Sequence, residues 1–562
     1  MDQQRNAAVF SYFEYAGNDS RFSQKADDEY FNPILPGFYP DPSVCRKGDD
    51  FFLALSSFSY YPGVPIFHSK NLTRWESLGH VLNRPSQLNL DGIRLNGGIY
   101  APSIAYNKYN DTFYLITTCV DGIGNFIVKT KDPFEQNWSD PIPLPHVGGI
   151  DPSLFFDDDG SGGAGAAYIA HNDEPEGTPE WAGHRAIWIH NFDVKTDATF
   201  GEKKVILDAG VDRSKKPIWI EGPHLYKING TYVLMAAEGG TSANHSEVVL
   251  RADDVKGPYT PFSGNPILTQ RDLPELRPDK VTSVGHANLI ETPKGEWYAV
   301  FLGCRPYEGP FYNTGRETFL LPVTWKDGFP VILEKGKRVP VVAKKPAVSP
   351  DAAAPCSVSA ARSMSAGNFR WRDDFSSKKL GFEWAMLRTP RGEPWFRLDN
   401  KLILTVTDES VYDGGNAAGT PAFLGRRQQH ACFEAETEMF YTPKNQDEIA
   451  GVVCFQNESH NFAFGMTIHD GKRVITLTRD ARTRIACAPV PQTLENGPVR
   501  FKVKGDGALY SFYASFGARE AGGVCRWLPI AENVDGSNLS TETAGGFVGV
   551  MIGPYAGRKN AR

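Results

Sequence analysis

Three carboxylic acids stand at the head of a phrase that recurs along the first half of the chain. The copies are Asp41-Pro42-Ser43-Val44, Ala101-Pro102-Ser103-Ile104, Asp151-Pro152-Ser153-Leu154, Glu221-Gly222-Pro223-His224-Leu225 and His286-Ala287-Asn288-Leu289. Two carboxyl groups suffice to hydrolyse a glycosidic bond: one protonates the leaving oxygen while the other acts as base or nucleophile. Read singly, Asp-Pro-Ser is a turn signal and Glu221 a solvated strand end. Their recurrence at equivalent repeat positions favours chemistry. Prolines before and after Asp41 fix its backbone, and a following Pro predicts an extended Asp with an aimed carboxylate. Asp151 sits in the same frame; Glu221 is one residue out of register and one carbon longer. Three acids near one axis repel one another, so at least one should stay protonated near neutral pH.

The elements that must position them are strands. After most copies come a polar or Gly turn and an apolar run, as in Asp-Asp-Phe-Phe-Leu-Ala-Leu (49–55), Asn-Asp-Thr-Phe-Tyr-Leu-Ile (110–116) and Asn-Gly-Thr-Tyr-Val-Leu-Met (229–235). Each unit therefore opens with a strand, a tight turn and an antiparallel return. The copies are spaced by 60, 50, 70 and 65 residues. Five all-β repeats of this length predict a five-bladed β-propeller, whose equivalent positions converge on the central axis.

The predicted organisation is an N-terminal arm over 1–30, the propeller over 31–340, a Lys/Pro/Ala-rich linker over 341–365 and a β-sandwich over 366–562. The fold class is all-β. Net charge is −7, which gives no reason to expect nucleic acid or an anionic membrane as partner. No stretch is long and apolar enough to span a bilayer. The start has no apolar signal core, and eight Asn-x-Ser/Thr sequons are a mild hint of secretion, so localisation stays open. Eight scattered cysteines show no metal spacing, and most are expected to be buried thiols.

A sugar ring presents an apolar C–H face, so flat aromatics make natural pocket walls. Phe58 and Tyr100 flank the repeat phrases, with Trp219, Tyr61, Phe311 and Tyr312 as further candidates. For each of them core packing is the competing reading.

The chain resembles glycoside hydrolase family 43, the two-domain β-xylosidase/α-L-arabinofuranosidase type. The resemblance rests on Asn-Pro-Ile-Leu-Pro-Gly-Phe-Tyr-Pro-Asp-Pro-Ser (32–43), Gly-Gly-Ile-Tyr-Ala-Pro-Ser (97–103), Gly-Ile-Asp-Pro-Ser-Leu-Phe (149–155), Glu-Gly-Pro-His-Leu-Tyr (221–226), Gly-His-Ala-Asn-Leu (285–289) and Gly-Arg-Glu-Thr (315–318). In the second domain it rests on Asp-Asp-Phe (373–375), Leu-Gly-Arg-Arg-Gln-Gln-His (424–430) and Ala-Gly-Val-Val-Cys-Phe-Gln-Asn (450–457). It implies Asp41 as general base, Glu221 as general acid, and Asp151 as the group that orients Glu221 and raises its pKa. Such a set predicts inversion, with acid and base about 6.5–9.5 Å apart. The resemblance also implies Arg316 as a hydrogen-bond donor to the terminal sugar. His286 becomes an axial residue that helps hold one hydrated structural calcium ion; no organic cofactor is implied. The expected substrate is a xylo- or arabinoxylo-oligosaccharide, cut from its end to release xylose or arabinofuranose. A homo-oligomer is left open.

Two departures from the family pattern stand out. The chain ends at Gly-Pro-Tyr-Ala-Gly-Arg-Lys-Asn-Ala-Arg (553–562), where an Asp- and aromatic-rich strand is usual. The stretch Ser-Thr-Glu-Thr-Ala-Gly-Gly (540–546) has no Phe to send into the pocket. A retaining fructosidase-type propeller is the first alternative, but it needs Asn before Asp-Pro, and Tyr39-Pro40 stand there instead. A non-catalytic carbohydrate-binding propeller is the second; it predicts loss of one acid, and all three are present.

Overall fold

The computed structural model describes residues 6–158, 165–347, 363–364, 366–392, 394–411, 419–480, 483–491, 497–517 and 525–559. Strands dominate. Among the described residues the only α-helix is the single turn Thr541–Ala544, and no helix is long and apolar enough to cross a membrane.

The first half forms five antiparallel meanders. Their opening strands are Ser43–Lys47, Gly98–Asn107, Ile150–Phe156, Glu221–Ile228 and Thr282–Glu291, and each pairs outward with the strand that follows it in sequence. The turns carry the expected residues: Asn229 and Gly230, at φ 51° and 81°, join Glu221–Ile228 to Thr231–Glu238 as a tight hairpin. The opening strands touch one another in cyclic order, and Thr282–Glu291 returns to Ser43–Lys47. Apolar residues from adjacent sheets fill the wedges between them. Ile187 and Ile189 of the third sheet, for example, cluster with Leu234, Ala236, Val248 and Leu250 of the fourth.

The second half is two packed sheets. One, of eight strands, runs Phe396–Leu398, Leu402–Thr405, Ala7–Gly17, Cys432–Phe440, Val499–Asp506, Leu509–Phe516 and Leu528–Asp535, with Arg370–Asp373 also paired to Ala7–Gly17. The other runs Arg426–Arg427, Met551–Arg558, Glu448–Asn457, His460–His469, Lys472–Arg479 and Thr483–Pro489. Alternate residues face inward, and Phe464 of the second sheet meets Phe501 and Phe512 of the first at 5.0 and 5.4 Å between ring centroids.

Two expectations change. The N-terminal arm is no arm: Ala7–Gly17 is an internal strand of the sandwich. Polar flanks hide an apolar alternation that leaves Phe10, Phe13 and Tyr15 at most 1% exposed. The linker begins with a strand, Val342–Lys344, paired to Glu29–Phe31, and Ser363–Met364 pairs with the outer strand of the first sheet; residues 348–362 and 365 lie outside the described residues. The last described strand, Met551–Arg558, pairs along Glu448–Asn457 and holds one aromatic and no Asp, so that departure from the family pattern stands. Of the cysteines, Cys45, Cys119, Cys304 and Cys454 are buried free thiols, whereas Cys487 is exposed; Cys356 lies outside the described residues.

Candidate active site

The five phrases meet. Asp41, Ala101, Asp151, Gly222 and His286 line one small axial cavity together with the Pro and Ser residues that follow them. All five have positive φ, at 53°, 37°, 55°, 56° and 52°. The expectation that Pro42 and Pro152 hold the preceding Asp extended is therefore not met. Register shifts at Tyr100/Ser103, Ile150/Ser153, Glu221/His224 and Thr282/Gly285/Asn288 show why. Four of the five phrases are bulges that turn the chain into the cavity; Asp41 instead precedes the strand Ser43–Lys47, which pairs with Asp50–Ala54 in unbroken register. A left-handed φ costs a non-Gly residue roughly 1–3 kcal/mol and persists only where packing over-determines it. Phe58 and Trp219, at 49° and 52°, are two more such residues, and they line the larger cavity that shares Asp41, Asp151 and His286 with this one.

Asp41 is held from two sides. Its Oδ2 accepts from Ser56 Oγ at 2.6 Å and its Oδ1 from Arg316 Nη1 at 2.7 Å. Ser56 in turn accepts from the Ala101 N–H at 2.7 Å, which ties the second phrase to the first acid. Asp151 Oδ2 accepts the Gly222 N–H at 3.2 Å, so it sits against the backbone next to Glu221. All three acids are buried, with exposures of 5%, 6% and 8% for Asp41, Asp151 and Glu221. Burial first, and then the charges of Asp151 and Asp41, push Glu221 well above the ordinary carboxylate range, against the pull of Arg316. Asp151 is raised as well, chiefly by burial and with Asp41 adding, while His286 and the Gly222 N–H oppose.

His286 stands between these groups. Its Nδ1 is 3.9 Å from Asp41 Oδ1, and its ring packs over Gly222, where an added Cβ would lie 2.8 Å from Cδ2. Buried Glu247 accepts the Ala287 N–H at 3.0 Å and braces the strained His286 backbone. The neighbouring imidazoles are neutral: burial lowers His224 to about 3 and His245 to about 4.

Above the acids lies a cavity of about 450 Å³, at the small end for ligand pockets. Its walls include the predicted Phe58, Tyr100 and Trp219, joined by Ile218, Arg94 and the segment Gly239–Ser242. Tyr61 and Tyr312, both 6% exposed, pack elsewhere, and Phe311 is not among the lining residues. A phenylalanine that sequence reasoning did not find closes the top. Phe547, just past the stretch 540–546, stacks on Phe58 at 5.8 Å and meets Tyr100 edge-on at 5.9 Å. The Arg316 guanidinium lies 5.3 Å from its ring. Its backbone N–H is tied to Asn96 Oδ1 at 2.8 Å, and Tyr100 OH donates to the Asn96 carbonyl. Ser56 was also missed, although it directly follows the apolar run 49–55.

Calcium takes six to eight oxygen ligands. Around His286 the nearest carboxylate oxygen is already engaged by Arg316. No group of three His, Cys, Asp or Glu among the described residues is placed to hold a metal ion. Among the described residues these side chains do not make a direct calcium cage.

Comparison with known proteins agrees with this geometry. Residues 30–330 match the model of glycosyl hydrolases family 43, and residues 372–562 that of the beta xylosidase C-terminal concanavalin A-like domain. The chain is 36% identical to a xylosidase/arabinosidase of Butyrivibrio fibrisolvens, over 93% of this chain and 95% of that one. It is 34% identical to the non-reducing end alpha-L-arabinofuranosidase BoGH43B of Bacteroides ovatus, over 94% and 92%. Among solved structures, a GH43_12 protein from the capybara gut metagenome superposes with a TM-score of 0.86 at 40% identity, covering 98% of this chain and 100% of that one. With a converging set of buried acids in the matched domain and the sandwich matched behind it, the chain belongs to glycosyl hydrolase family 43 and is a glycoside hydrolase.

Proposed function

We propose that this enzyme is an inverting exo-glycosidase that removes terminal β-D-xylosyl and/or α-L-arabinofuranosyl residues from xylan or arabinoxylan fragments. One observation carries the reading: a small, aromatic-roofed pocket ends on Asp41 and Glu221, two buried acids in different environments. The names of the relatives support the sugar class. We also read the five meanders as the blades of a five-bladed propeller, which the cyclic contacts of their opening strands support.

In this reading Glu221, kept protonated by burial and by Asp151, gives its proton to the glycosidic oxygen as the C1–O bond breaks. Asp41, aimed by Ser56 and Arg316, takes a proton from the water that attacks C1 on the opposite face. The product carries the inverted anomeric configuration, and the enzyme resets as Asp41 gives its proton to solvent and Glu221 takes one up. Arg316 and the aromatic walls hold a single terminal ring. Proton NMR at early times on 4-nitrophenyl β-D-xyloside and α-L-arabinofuranoside tests this. The inverted anomer is expected from at least one; release with retention would overturn the roles of Asp41 and Glu221.

A further inference from the structure

The segment that carries Asp41 is gripped from outside its own domain. Pro36-Gly37-Phe38-Tyr39-Pro40 leads into Asp41, and two of its carbonyls accept hydrogen bonds from the sandwich. Arg427 Nε donates to Phe38 O at 2.6 Å, and Gln429 Nε2 donates to Pro36 O at 2.9 Å. The sandwich backbone lies so close that a Cβ on Gly37, at φ +91°, would be 2.9 Å from Gln428 O. Gly37 N donates to Glu317 Oε1 at 2.7 Å. Glu317 is held by Arg305, which also donates to Gln429 O at 3.2 Å. Glu317 follows Arg316, the cation paired with Asp41. One short sandwich segment thus fixes both sides of that pair.

Arg427 is the central member. It is 3% exposed and has no carboxylate within ion-pair distance among the described residues. Its guanidinium lies on the Tyr39 ring at 4.4 Å and is spent on one backbone carbonyl three residues before Asp41. It is itself rigidly seated: Arg427 pairs with Met551, and Gln428 N donates to Val550 O at 2.9 Å. A buried guanidinium without a carboxylate is costly to desolvate, which is hard to account for as a purely stabilising feature.

We propose that Arg427 is a positioning residue for hydrolysis, setting the height of the Asp41 carboxylate in the pocket through the Phe38 carbonyl. The proposal rests on the reading of Asp41 as the base. The sandwich is then a working part of the catalytic site and not only a roof.

The test uses the full-length enzyme and three variants, assayed well below their melting temperatures. In Arg427→Met, kcat should fall about 10- to 100-fold, the scale of a small misplacement of a reacting group, with KM changed less than about threefold. Arg427→Lys should fall between it and wild type, because an ammonium cannot reproduce the guanidinium fork over Tyr39. Arg500→Met removes another buried sandwich arginine, paired with Glu438 at 2.6 Å, and should lower Tm with kcat intact. In an Asp41→Asn background, Arg427→Met should add less than about twofold, since the group it positions is already disabled. Wild-type kcat in a folded Arg427→Met overturns the proposal, as does a full multiplicative loss in the Asp41→Asn background. If Arg427→Met does not fold, wild-type kcat in Arg427→Lys overturns it. An active Asp41→Asn enzyme would instead overturn the assignment of the base, and is seen separately.

Discussion

Replacing Glu221 by Gln keeps the shape of a side chain that is 8% exposed and removes its proton. General acid catalysis contributes about 10²–10⁴-fold, or roughly 2.7–5.5 kcal/mol at 1.36 kcal/mol per decade. The structure says where that loss must appear. Burial and its acidic neighbours raise Glu221, and in the proposed mechanism its task is at the leaving oxygen. The full loss is expected for xylobiose, whose leaving sugar hydroxyl needs a proton. A small loss is expected for aryl glycosides whose phenolate departs unaided. Plotted against leaving-group acidity, log kcat/KM should be nearly flat for wild type and steep for Glu221→Gln. The pH profile should change in concert: wild type loses activity as pH rises through the raised Glu221 ionisation, and the variant, with nothing to titrate there, loses that alkaline limb. Asp41→Asn is the matched control, since loss of the base should slow good and poor leaving groups alike. An equal loss on xylobiose and the best aryl substrate would refute Glu221 as the acid, whatever the size of the loss.

The same carboxyls bear on stability. Glu221, Asp151 and Glu247 have raised folded-state ionisations through burial, so the folded state binds more protons than the unfolded one. Their contribution to stability should be fully present below the ordinary carboxylate range and be lost as pH rises through the folded values; a pH series of denaturant midpoints should show that loss in wild type and a smaller one in Glu221→Gln. Phe547→Ala removes two ring contacts and a cation–π contact with Arg316, together about 1.5–5 kcal/mol. Because the ring is only half-buried and roofs the pocket, the loss should fall on kcat/KM, at about tenfold or more, with little change in Tm; the opposite pattern would make it a packing residue.

The acids were legible because their signal is local and repeated: Asp-Pro-Ser twice, with Glu-Gly-Pro and His-Ala-Asn in the same frame. The alternating strands and turns made both β domains legible for the same reason. What stayed hidden depends on contacts across hundreds of residues. Ala7–Gly17 reads as polar when averaged over its flanks, and only pairing with Cys432–Phe440 reveals it as an internal strand. Phe547 lies one residue beyond a Gly-Gly that looks like ordinary loop, and nothing nearby says that Asn96 of the other domain will fix it. The prolines misled because Pro42 and Pro152 restrict an isolated Asp, whereas in the fold Asp151 sits in a bulge between paired strands and Asp41 is held by Ser56 and Arg316, and these contacts override that preference.

A bulge also explains the one-residue offset of Glu221. In four copies the residue at positive φ is Asp41, Ala101, Asp151 or His286, but in the fourth it is Gly222. Glu221 therefore enters the pocket from the position before the bulge, while Asp41 enters from the positive-φ residue ahead of the strand Ser43–Lys47. With Glu221 as acid and Asp41 as base, as proposed above, these different backbone settings suit protonation and attack on opposite faces of a sugar. Gly222 makes that offset affordable, since no other residue takes φ 56° without strain while leaving room for the His286 ring. Gly222→Ala should then cost about 2 kcal/mol or more of stability and displace Glu221 and His286 together. A denaturation curve and kcat/KM on one aryl xyloside decide it: a variant as stable and as active as wild type would show that the offset, and the glycine that permits it, are incidental to where the acid sits.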